Sequence, residues 1–570
     1  MHKLFRPSHV ILMTLILSSC EFTLPSIILN SSSQTSTMTS SLVNPSSSTF
    51  NPSIESQVDF TQPPVVPNLI LPAATCEASS QPRISLNTVE EFNLFFHPTT
   101  KVMIDFHMSN ANLLLMNEYG NRTADHDRYV NAAMRIDVTP KSGTVISYCY
   151  PVVGIRMKGN TSRTDFIEEN GAFTNLMNLK ISFATDDPLD GRIPNEQFLG
   201  MTRMDLKWNR NFDHTYVRQI FAHKLYGAYL PYAQEATLGG VRFLQSGVSS
   251  EFQDNYLGLF TITELMDRRF FSRRLGDNAE ADGNLYKVLY TATGAADMTK
   301  FNAVNSDGTN HFRTGNKIGV EDNAANYHPS YDLKTNTSIP NFTDIVNLIG
   351  ELNASQDVNN ASYRQRVEAV IDIPSFLKME AIAYFIGNPD DYRNNANNLY
   401  LYFLPSTGKA YPIPYDLDRG FGSNGDWDPT LDSFSQYGPS MTKATPFQEA
   451  LLKDWNQGRL NPLHRLTIYQ GAYTGYQNIY RQNLETIYQS GWLQSSSNGA
   501  GNYSGLFYTL HRQYRDTYYP QSGQYQDLQP TAPALRDVFV VFSLNQKVLH
   551  NLTFHEYMSA KVSTFISVVS

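Results

Sequence analysis

A short stretch of the chain, residues 387–420, is rich in side chains that bind metal ions and move protons. It holds two pairs of aspartates and several asparagines, namely Asp390, Asp391, Asn394, Asn395, Asn397, Asn398, Asp416 and Asp418. Carboxylate and carboxamide oxygens are the ligands that Mg²⁺ and Mn²⁺ prefer, and a further aspartate can act as a base or orient a nucleophile. The pattern predicts a divalent-metal site with such a carboxylate beside it.

The elements around this stretch are predicted to bring its two ends together. An apolar helix ends at Gly387, and residues 399–403 and 410–415 alternate as two strands joined by a tight turn. Since an antiparallel hairpin places its two ends side by side, Asn398 and Asp416 should be neighbours. We expect a cluster of carboxylates and carboxamides at the mouth of a cleft.

The same order of parts occurs in protein kinases. There an aspartate meets the substrate hydroxyl, while an asparagine and a second aspartate hold the metal that carries the ATP phosphates. The HRD, DFG and glycine-rich-loop sequences of ordinary protein kinases are absent from this chain. It also has no Walker A, Gly-x-Ser-x-Gly or HExxH motif, which argues against a P-loop enzyme, a serine hydrolase or a zinc protease.

Predicted elements outside this stretch indicate an α+β fold. Strands are predicted over residues 152–157, 179–183, 241–243 and 257–263. Helices are predicted over residues 213–229, with Asp213 as N-cap, and over residues 375–386, 444–454 and 462–487. A strand-rich N-terminal part is thus followed by a helix-rich C-terminal part, with a cleft between two lobes.

Several patches, in order along the chain, resemble the CotH kinase family, atypical protein kinases related to spore-coat protein H. They are residues 158–162 (KGNTS), 178–183 (NLKISF), 213–225 with Arg218, 256–267, and the hairpin ends 397–402 (NNLYLY) and 413–418 (IPYDLD). The resemblance covers roughly residues 90–485. Two positions depart from the family pattern, since Lys158 replaces an arginine and Tyr415 a tryptophan.

The resemblance implies a bilobal, atypical protein-kinase-like fold and a set of site residues. The implied catalytic carboxylate is Asp391, with the adjacent Asp390 as its rival. The implied ligands of Mg²⁺ or Mn²⁺ are Asn398, Asp416 and Asp418. The implied nucleotide-binding residues are Lys158, Lys180 and Glu264, the last in the nucleotide cleft. The expected activity is transfer of the γ-phosphoryl group of ATP to a Ser, Thr or Tyr hydroxyl of an unidentified protein substrate.

Two other functions stay open at this stage. The first is a catalytically weak or inactive surface, structural or adhesive protein on a CotH kinase-like scaffold, because ATP is scarce outside cells. The second is transfer of another nucleotide-derived group to protein.

Residues 1–20 predict export. Lys3 and Arg6 form a basic start, and the apolar run over residues 10–17 is too short to span a bilayer. The sequence Leu-Ser-Ser-Cys ending at Cys20 resembles the lipobox of bacterial lipoproteins, which predicts lipidation of Cys20. An ordinary cleaved signal peptide and a cytosolic protein with an apolar start are the alternatives. The expected location is the cell envelope or cell surface, with the membrane contacted through the lipid anchor.

Composition sets the remaining boundaries. Residues 21–84 are rich in Ser, Thr and Pro and are predicted to form a disordered tether. The kinase-like domain is predicted over residues 85–485, and residues 486–570 are predicted to be a C-terminal extension packed on it. A net charge of −9 argues against a nucleic-acid partner, and three cysteines are too few for a disulfide scaffold, although Cys76 and Cys149 can pair in an oxidising compartment.

Overall fold

The structure is a computed structural model of the chain. The residues that it describes are 89–121, 128–141, 143, 145–159, 163–184, 196–248, 253–291, 294–298, 318–322, 327–355, 357–423, 429–430, 462–466, 473–497, 503–519, 529–538, 540, 542–547 and 552–569. The predicted signal peptide with Cys20, the predicted tether and the helix predicted over residues 444–454 lie outside the described residues.

Seven strands close into a barrel in the order β1-β2-β3-β4-β5-β7-β6. They are β1 (Lys101–Ser109), β2 (Val130–Thr139), β3 (Ile146–Lys158), β4 (Asn178–Ser182), β5 (Arg203–Trp208), β6 (Ala236–Ser246) and β7 (Gln253–Glu264). Neighbouring strands are antiparallel except β1 and β6, whose parallel pairing closes the barrel. Because side chains alternate across a strand, apolar residues such as Leu179, Ile181 and Leu206 fill the barrel while charged residues face outward.

Four described helices are interleaved with these strands along the chain. They are α1 (Val89–Phe95), α2 (Asn110–Asn121), α3 (Arg218–Tyr229) and α4 (Arg268–Leu275). The helix predicted over residues 213–229 therefore begins later than expected, at Arg218. Asp213 is not its N-cap: the Asp213 carboxylate accepts hydrogen bonds from Thr215 N at 3.0 Å and from Arg218 N at 3.2 Å, and so closes the turn before the helix.

A second, five-stranded sheet follows in the order β11-β12-β8-β13-β14. Its strands are β8 (Leu285–Val288), β11 (Ile318–Gly319), β12 (Tyr331–Leu333), β13 (Leu399–Phe403) and β14 (Ala410–Pro414), while β9 (Tyr290–Thr291) and β10 (Gly294–Ala295) pair separately. One face, with Tyr286 and Leu401, joins a large apolar core shared with the helices. The opposite face carries Asp332, Lys287 and Tyr400, which are neighbours across β12, β8 and β13.

The second half supplies most of the described helices. They are α5 (Thr343–Leu352), α6 (Ala361–Val370), α7 (Ile373–Ile386), the short α8 (Tyr392–Asn395), α9 (Thr474–Gln489), α10 (Leu506–Tyr518) and α11 (Phe554–Val569), with β15 (Ser496–Ser497) and β16 (Tyr503–Ser504) as a small ribbon. The predicted end of α7 is confirmed, because Gly387 adopts the left-handed backbone with φ of 59°. At its start Asp372 accepts from Ser375 N at 2.9 Å.

The last segments of the chain pack into the same core. Phe554 stacks on Phe507 with ring centroids 3.5 Å apart and meets Phe221 of α3 edge-on. Tyr518 of α10 hydrogen-bonds to the β1 backbone at Val102. The chain therefore has a mixed α/β fold with a sheet-rich body, and the kinase-like division into two lobes stays a prediction. Within the described residues, none of the helices combines the length and apolar character needed to cross a membrane.

Candidate active site

The outer face of β3, β4 and β5 carries the lysines predicted to bind nucleotide. Lys180 lies opposite Arg156 on β3 and opposite Asp205 on β5, and the Lys158 ammonium makes an ion pair with Asp205. Lys180 is half-buried and makes no ion pair or hydrogen bond with another described residue. Burial and the neighbouring Arg156 lower the pKa of Lys180 well below its usual range, although Asp205 opposes the shift. The barrel thus presents a crowded cationic surface.

The predicted hairpin is formed by β13 and β14, and its open end joins the two polar corners. Leu399 pairs with Pro414, and Tyr415 N donates to Asn398 O at 3.2 Å, which confirms that the two ends are neighbours. Asn398 and Asp416 both adopt left-handed backbone, with φ of 59° and 60°. That conformation costs energy for residues other than glycine and is concentrated at functional sites.

The loop after α7 lies against the same end of the hairpin. Asn388 Nδ2 donates to Asp416 O at 3.3 Å, while Asp391 N donates to Asn388 O at 3.3 Å. Asn398 Nδ2 in turn donates to Asp390 O at 2.7 Å and to Asp390 Oδ2 at 3.2 Å. The loop that carries Asp390 and Asp391 is therefore pinned beside the segment that carries Asp416.

The two adjacent aspartates of this loop differ in what surrounds them. The Asp390 carboxylate is engaged by Asn398 and so helps to hold the hairpin. Asp391 is half-buried on the side of α3 and α11. Burial raises the pKa of Tyr226 and of Tyr557, and the charge of Asp391 adds to both shifts. The catalytic role of Asp391 stays a prediction.

One lysine that the sequence analysis did not single out joins the barrel to the acidic corner. The ammonium of Lys207 on β5 makes an ion pair with Asp416 and a second with Asp418 at 3.0 Å. Burial favours the neutral acid, but Lys207, Lys158 and Lys287 outweigh it and lower the pKa of Asp416 to about 2. Lys207 lies on the same outward face as Asp205, two residues away, and strand alternation is the only signal of this in the sequence.

Arg218 anchors the segment that follows Asp418. Its guanidinium donates to Phe421 O and to Leu552 O, both at 2.7 Å, and lies 3.2 Å from Asp213 Oδ1. The aspartate and arginine of the family-like patch over residues 213–225 are therefore structural. They fix the backbone on which Asp416 and Asp418 depend.

A buried ion pair anchors the other loop to α7. Arg393 donates to Glu380 Oε2 at 2.7 and 3.0 Å and to Glu380 O at 2.7 Å, and each side chain is 1% exposed. Arg393 comes two residues after Asp391. Since a buried charge pair requires a close geometry, it restricts the position of the Asp391 loop.

The structure corrects the expectation that Glu264 faces a nucleotide cleft. Its side chain is 0% exposed and is bound by Arg274 and, at 2.5 Å, by Arg273. Glu264 Oε1 also accepts from Glu235 N at 2.9 Å. Both oxygens are engaged inside the protein, so Glu264 ties the end of β7 to the last turn of α4.

The implied metal ligands have the chemistry that a hard divalent cation needs. Asp416, Asp418 and Asn398 supply carboxylate and carboxamide oxygens, and the Lys207 ammonium already lies between the two carboxylates as a positive charge. Mg²⁺ commonly takes one or two protein carboxylates together with substrate phosphates. Among the described residues no group of three or more His, Cys, Asp and Glu side chains converges as a metal cage. The donor set fits a metal shared with a ligand.

Two predictions involve residues of which only some are described. Lys158 is described, but residues 160–162 of its family-like patch lie outside the described residues. Cys149 on β3 takes part in a disulfide. Because Cys20 and Cys76 lie outside the described residues, the pairing of Cys149 with Cys76 stays a prediction.

Comparison with known proteins agrees with the resemblance seen in the sequence. A family model described as CotH kinase protein matches residues 155–466. The match begins within β3 and extends past β14, so it includes both the lysine face and the acidic corner. No curated protein matches the chain significantly. A family match over more than half of the chain establishes membership, and the chain belongs to the CotH kinase family.

Proposed function

We propose that the chain is a protein kinase that transfers the γ-phosphoryl group of ATP to hydroxyl groups of a protein substrate, with Mg²⁺ or Mn²⁺. The observation that carries the proposal is the junction of two surfaces. The cationic outer face of the barrel meets the acidic end of the hairpin through Lys207, Asp416 and Asp418. Phosphoryl transfer needs such a site, because lysines attract the triphosphate while oxygen ligands hold its metal.

In this proposal the barrel lysines bind the triphosphate. Lys180 has no described partner and lies among Arg156, Lys158 and Arg203, which all disfavour its charged form. An incoming polyphosphate would relieve this repulsion and stabilise the protonated amine. Asp416, Asp418 and Asn398 would hold the metal, which neutralises charge on the phosphates when it is bound.

The acceptor hydroxyl would be oriented by Asp391. The acceptor oxygen bonds to the γ-phosphorus, the bond from that phosphorus to the β,γ-bridging oxygen breaks, and ADP leaves. The hydroxyl proton passes to the Asp391 carboxylate. The family resemblance supports Asp391 for this role, with the adjacent Asp390 as its rival.

We also propose that the protein acts outside the cytoplasm, anchored by a lipid on Cys20. The basic and apolar start of the chain and its Leu-Ser-Ser-Cys sequence support export. The disulfide at Cys149 fits an oxidising compartment.

One observation favours the second candidate, an inactive scaffold with an adhesive or structural role. The Lys207 ammonium is already paired with both Asp416 and Asp418, so a protein cation offsets one of their two charges without a metal. A protein of this kind would bind partners but transfer no phosphate.

Labelled ATP separates the two candidates. The purified chain is incubated with γ-labelled ATP and Mg²⁺ or Mn²⁺, with casein as a generic acceptor, beside Asp391→Asn and Asp416→Asn. Label should enter protein with the wild type and fall at least 100-fold in both variants. Asp516→Asn, which changes an exposed aspartate of α10, is the matched control. Equal label in all four proteins would exclude the kinase.

A further inference from the structure

Lys287 lies in the middle of the five-stranded sheet and has no counterion there. Its register neighbours are Asp332 on β12 and Tyr400 on β13. The Asp332 carboxylate is paired with Lys334 instead. The Lys287 ammonium lies 5.2 Å from the centre of the Tyr415 ring, and it makes no ion pair or hydrogen bond with another described residue.

Lys287 lies near the acidic corner, because Tyr415 directly precedes Asp416, which is paired with Lys207 on the barrel strand β5. Burial, Lys334 and Lys158 lower the pKa of Lys287 to about 8, although Glu321 and Asp332 oppose the shift. Lys287 in turn is one of the charges that lower the pKa of Asp416. Its ammonium therefore lies within electrostatic range of both Lys158 on β3 and the acidic corner.

Such a lysine lowers the stability of the folded chain. A half-buried cation with no carboxylate partner among the described residues loses part of its hydration and gains only a weak contact with an aromatic ring. Replacing it with an apolar side chain of similar length would remove that cost. A residue that destabilises the fold in a cleft is expected where a ligand supplies the missing charge.

We propose that Lys287 is a phosphate-binding residue and forms the second wall of the site, so that the triphosphate of a nucleotide is clamped between β8 and the barrel lysines Lys158 and Lys180. The inference rests on the proposed function. It adds a contact from the sheet, on the wall opposite the barrel. The ligand group is a polyphosphate with several negative charges, which alone can pair with ammonium groups from both walls.

The test compares ligands with and without phosphates. Binding of ATP, adenosine and inorganic tripolyphosphate, each with Mg²⁺, is measured by calorimetry for the full chain and for Lys287→Met and Lys287→Arg. In Lys287→Met the dissociation constants of ATP and tripolyphosphate should rise at least tenfold while that of adenosine changes less than twofold. Lys287→Arg, which keeps the charge, should recover most of the affinity.

Lys409→Met is the matched control. Lys409 is a half-buried lysine beside the turn of the β13–β14 hairpin, at the end away from Asn398 and Asp416. Lys409→Met should leave the affinities for ATP, adenosine and tripolyphosphate unchanged. Thermal melts check folding, and Lys287→Met should unfold at the same temperature as the wild type or higher. If that variant fails to fold, the ratio of ATP to adenosine affinity in Lys287→Gln decides.

The outcomes separate this inference from the proposed kinase activity. Unchanged ATP affinity in Lys287→Met, an equal loss for ATP and adenosine, or no polyphosphate binding by the wild type would overturn it. Tripolyphosphate binding that depends on Lys287, in a protein that transfers no label, would support the phosphate site and contradict only the kinase.

Discussion

At the scale of single residues, the lysines of the site differ in how fully carboxylates compensate their charge. Lys207 makes ion pairs with both Asp416 and Asp418, and Lys158 makes one with Asp205. Lys180 makes no ion pair with a carboxylate of the described residues. Each ammonium has a different neighbourhood although all lie on one side of the barrel. Affinity for an anionic ligand would therefore come mainly from Lys180 and Lys287, which make no ion pair with another described residue.

Lys207→Met should destabilise the protein and make its stability depend on metal. The change leaves two half-buried carboxylates beside each other without their shared cation, which should lower the free energy of unfolding by about 1–2 kcal/mol. Mg²⁺ at millimolar concentration should raise the melting temperature of the variant by several degrees more than that of the wild type. Differential scanning calorimetry in Ca²⁺-free buffer, with and without Mg²⁺, measures the two melting temperatures. An identical metal response in both proteins would contradict the assignment of Asp416 and Asp418 as metal ligands.

Glu91 predicts a pH dependence outside the site. Burial raises the pKa of Glu91 to about 7, against 4.5 in its ordinary state. The folded state therefore holds this proton more tightly than the unfolded state, so stability falls as pH rises from about 4.5 to about 7, by on the order of 2 kcal/mol. In Glu91→Gln the melting temperature should fall less between pH 5 and pH 8. The exposed neighbour Glu90→Gln is the control, and an unchanged pH profile in Glu91→Gln would reject the explanation.

At the scale of elements, the candidate catalytic and metal-binding residues lie on short loops between helices and strands. Each of these loops is fixed by hydrogen bonds to a neighbouring element. The loop after α7 is tied to the hairpin by Asn388 and Asn398 and to the helix by Arg393. The segment after β14 is tied to α3 by Arg218. A loop anchored at both ends loses little entropy when a substrate binds, which favours positioning catalysis.

Glu380→Gln tests the anchor of the Asp391 loop. Removing one charge of a buried pair leaves the Arg393 guanidinium uncompensated, so the free energy of unfolding should fall by about 3–5 kcal/mol. Urea denaturation followed by tyrosine and tryptophan fluorescence measures the loss. Glu351→Gln, which breaks the more exposed contact with Arg366 at 3.4 Å, should cost less than about 1 kcal/mol. Equal losses in the two variants would mean that the buried Glu380–Arg393 pair stabilises the fold no more than the exposed contact does.

At the scale of the whole molecule, distant parts of the chain share one core. Tyr557 of α11 donates to Phe385 O of α7 at 3.0 Å, and Leu552 O accepts from Arg218. The aromatic residues of α10 and α11 fill space against α3. The last segments of the chain are thus part of the core that supports the site.

Shortening the chain after residue 497 should abolish cooperative folding. The change removes α10 and α11 and opens the apolar core around Phe221, which costs far more than the few kcal/mol of net stability of a typical domain. Near-ultraviolet circular dichroism and thermal melts of the shortened and full chains measure this. Removing residues 1–75 instead, which keeps Cys76 for its predicted disulfide with Cys149, should leave the melting temperature nearly unchanged. A cooperative melt of the chain that ends at residue 497 would show that the last helices are dispensable.

The sequence by itself determined the local part of the site. The hairpin brings Asn398 and Asp416 together within 20 residues, and the end of α7 at Gly387 follows from the backbone freedom of glycine. Strand alternation in the predicted strand over residues 179–183 also places Lys180 on the face opposite Leu179 and Ile181. These features depend on contacts between near neighbours in the chain, which residue types and spacing describe well.

Only the tertiary structure decided what the outer face of the barrel meets. Lys207 and Asp416 are 209 residues apart, and no periodicity links them. The sequence also did not predict the burial of Glu264 between Arg273 and Arg274, or the approach of Lys287 to the Tyr415 ring. Periodicity predicts that a side chain points outward. Which residue it then contacts depends on how the other elements pack around the barrel, and this is a property of the whole fold.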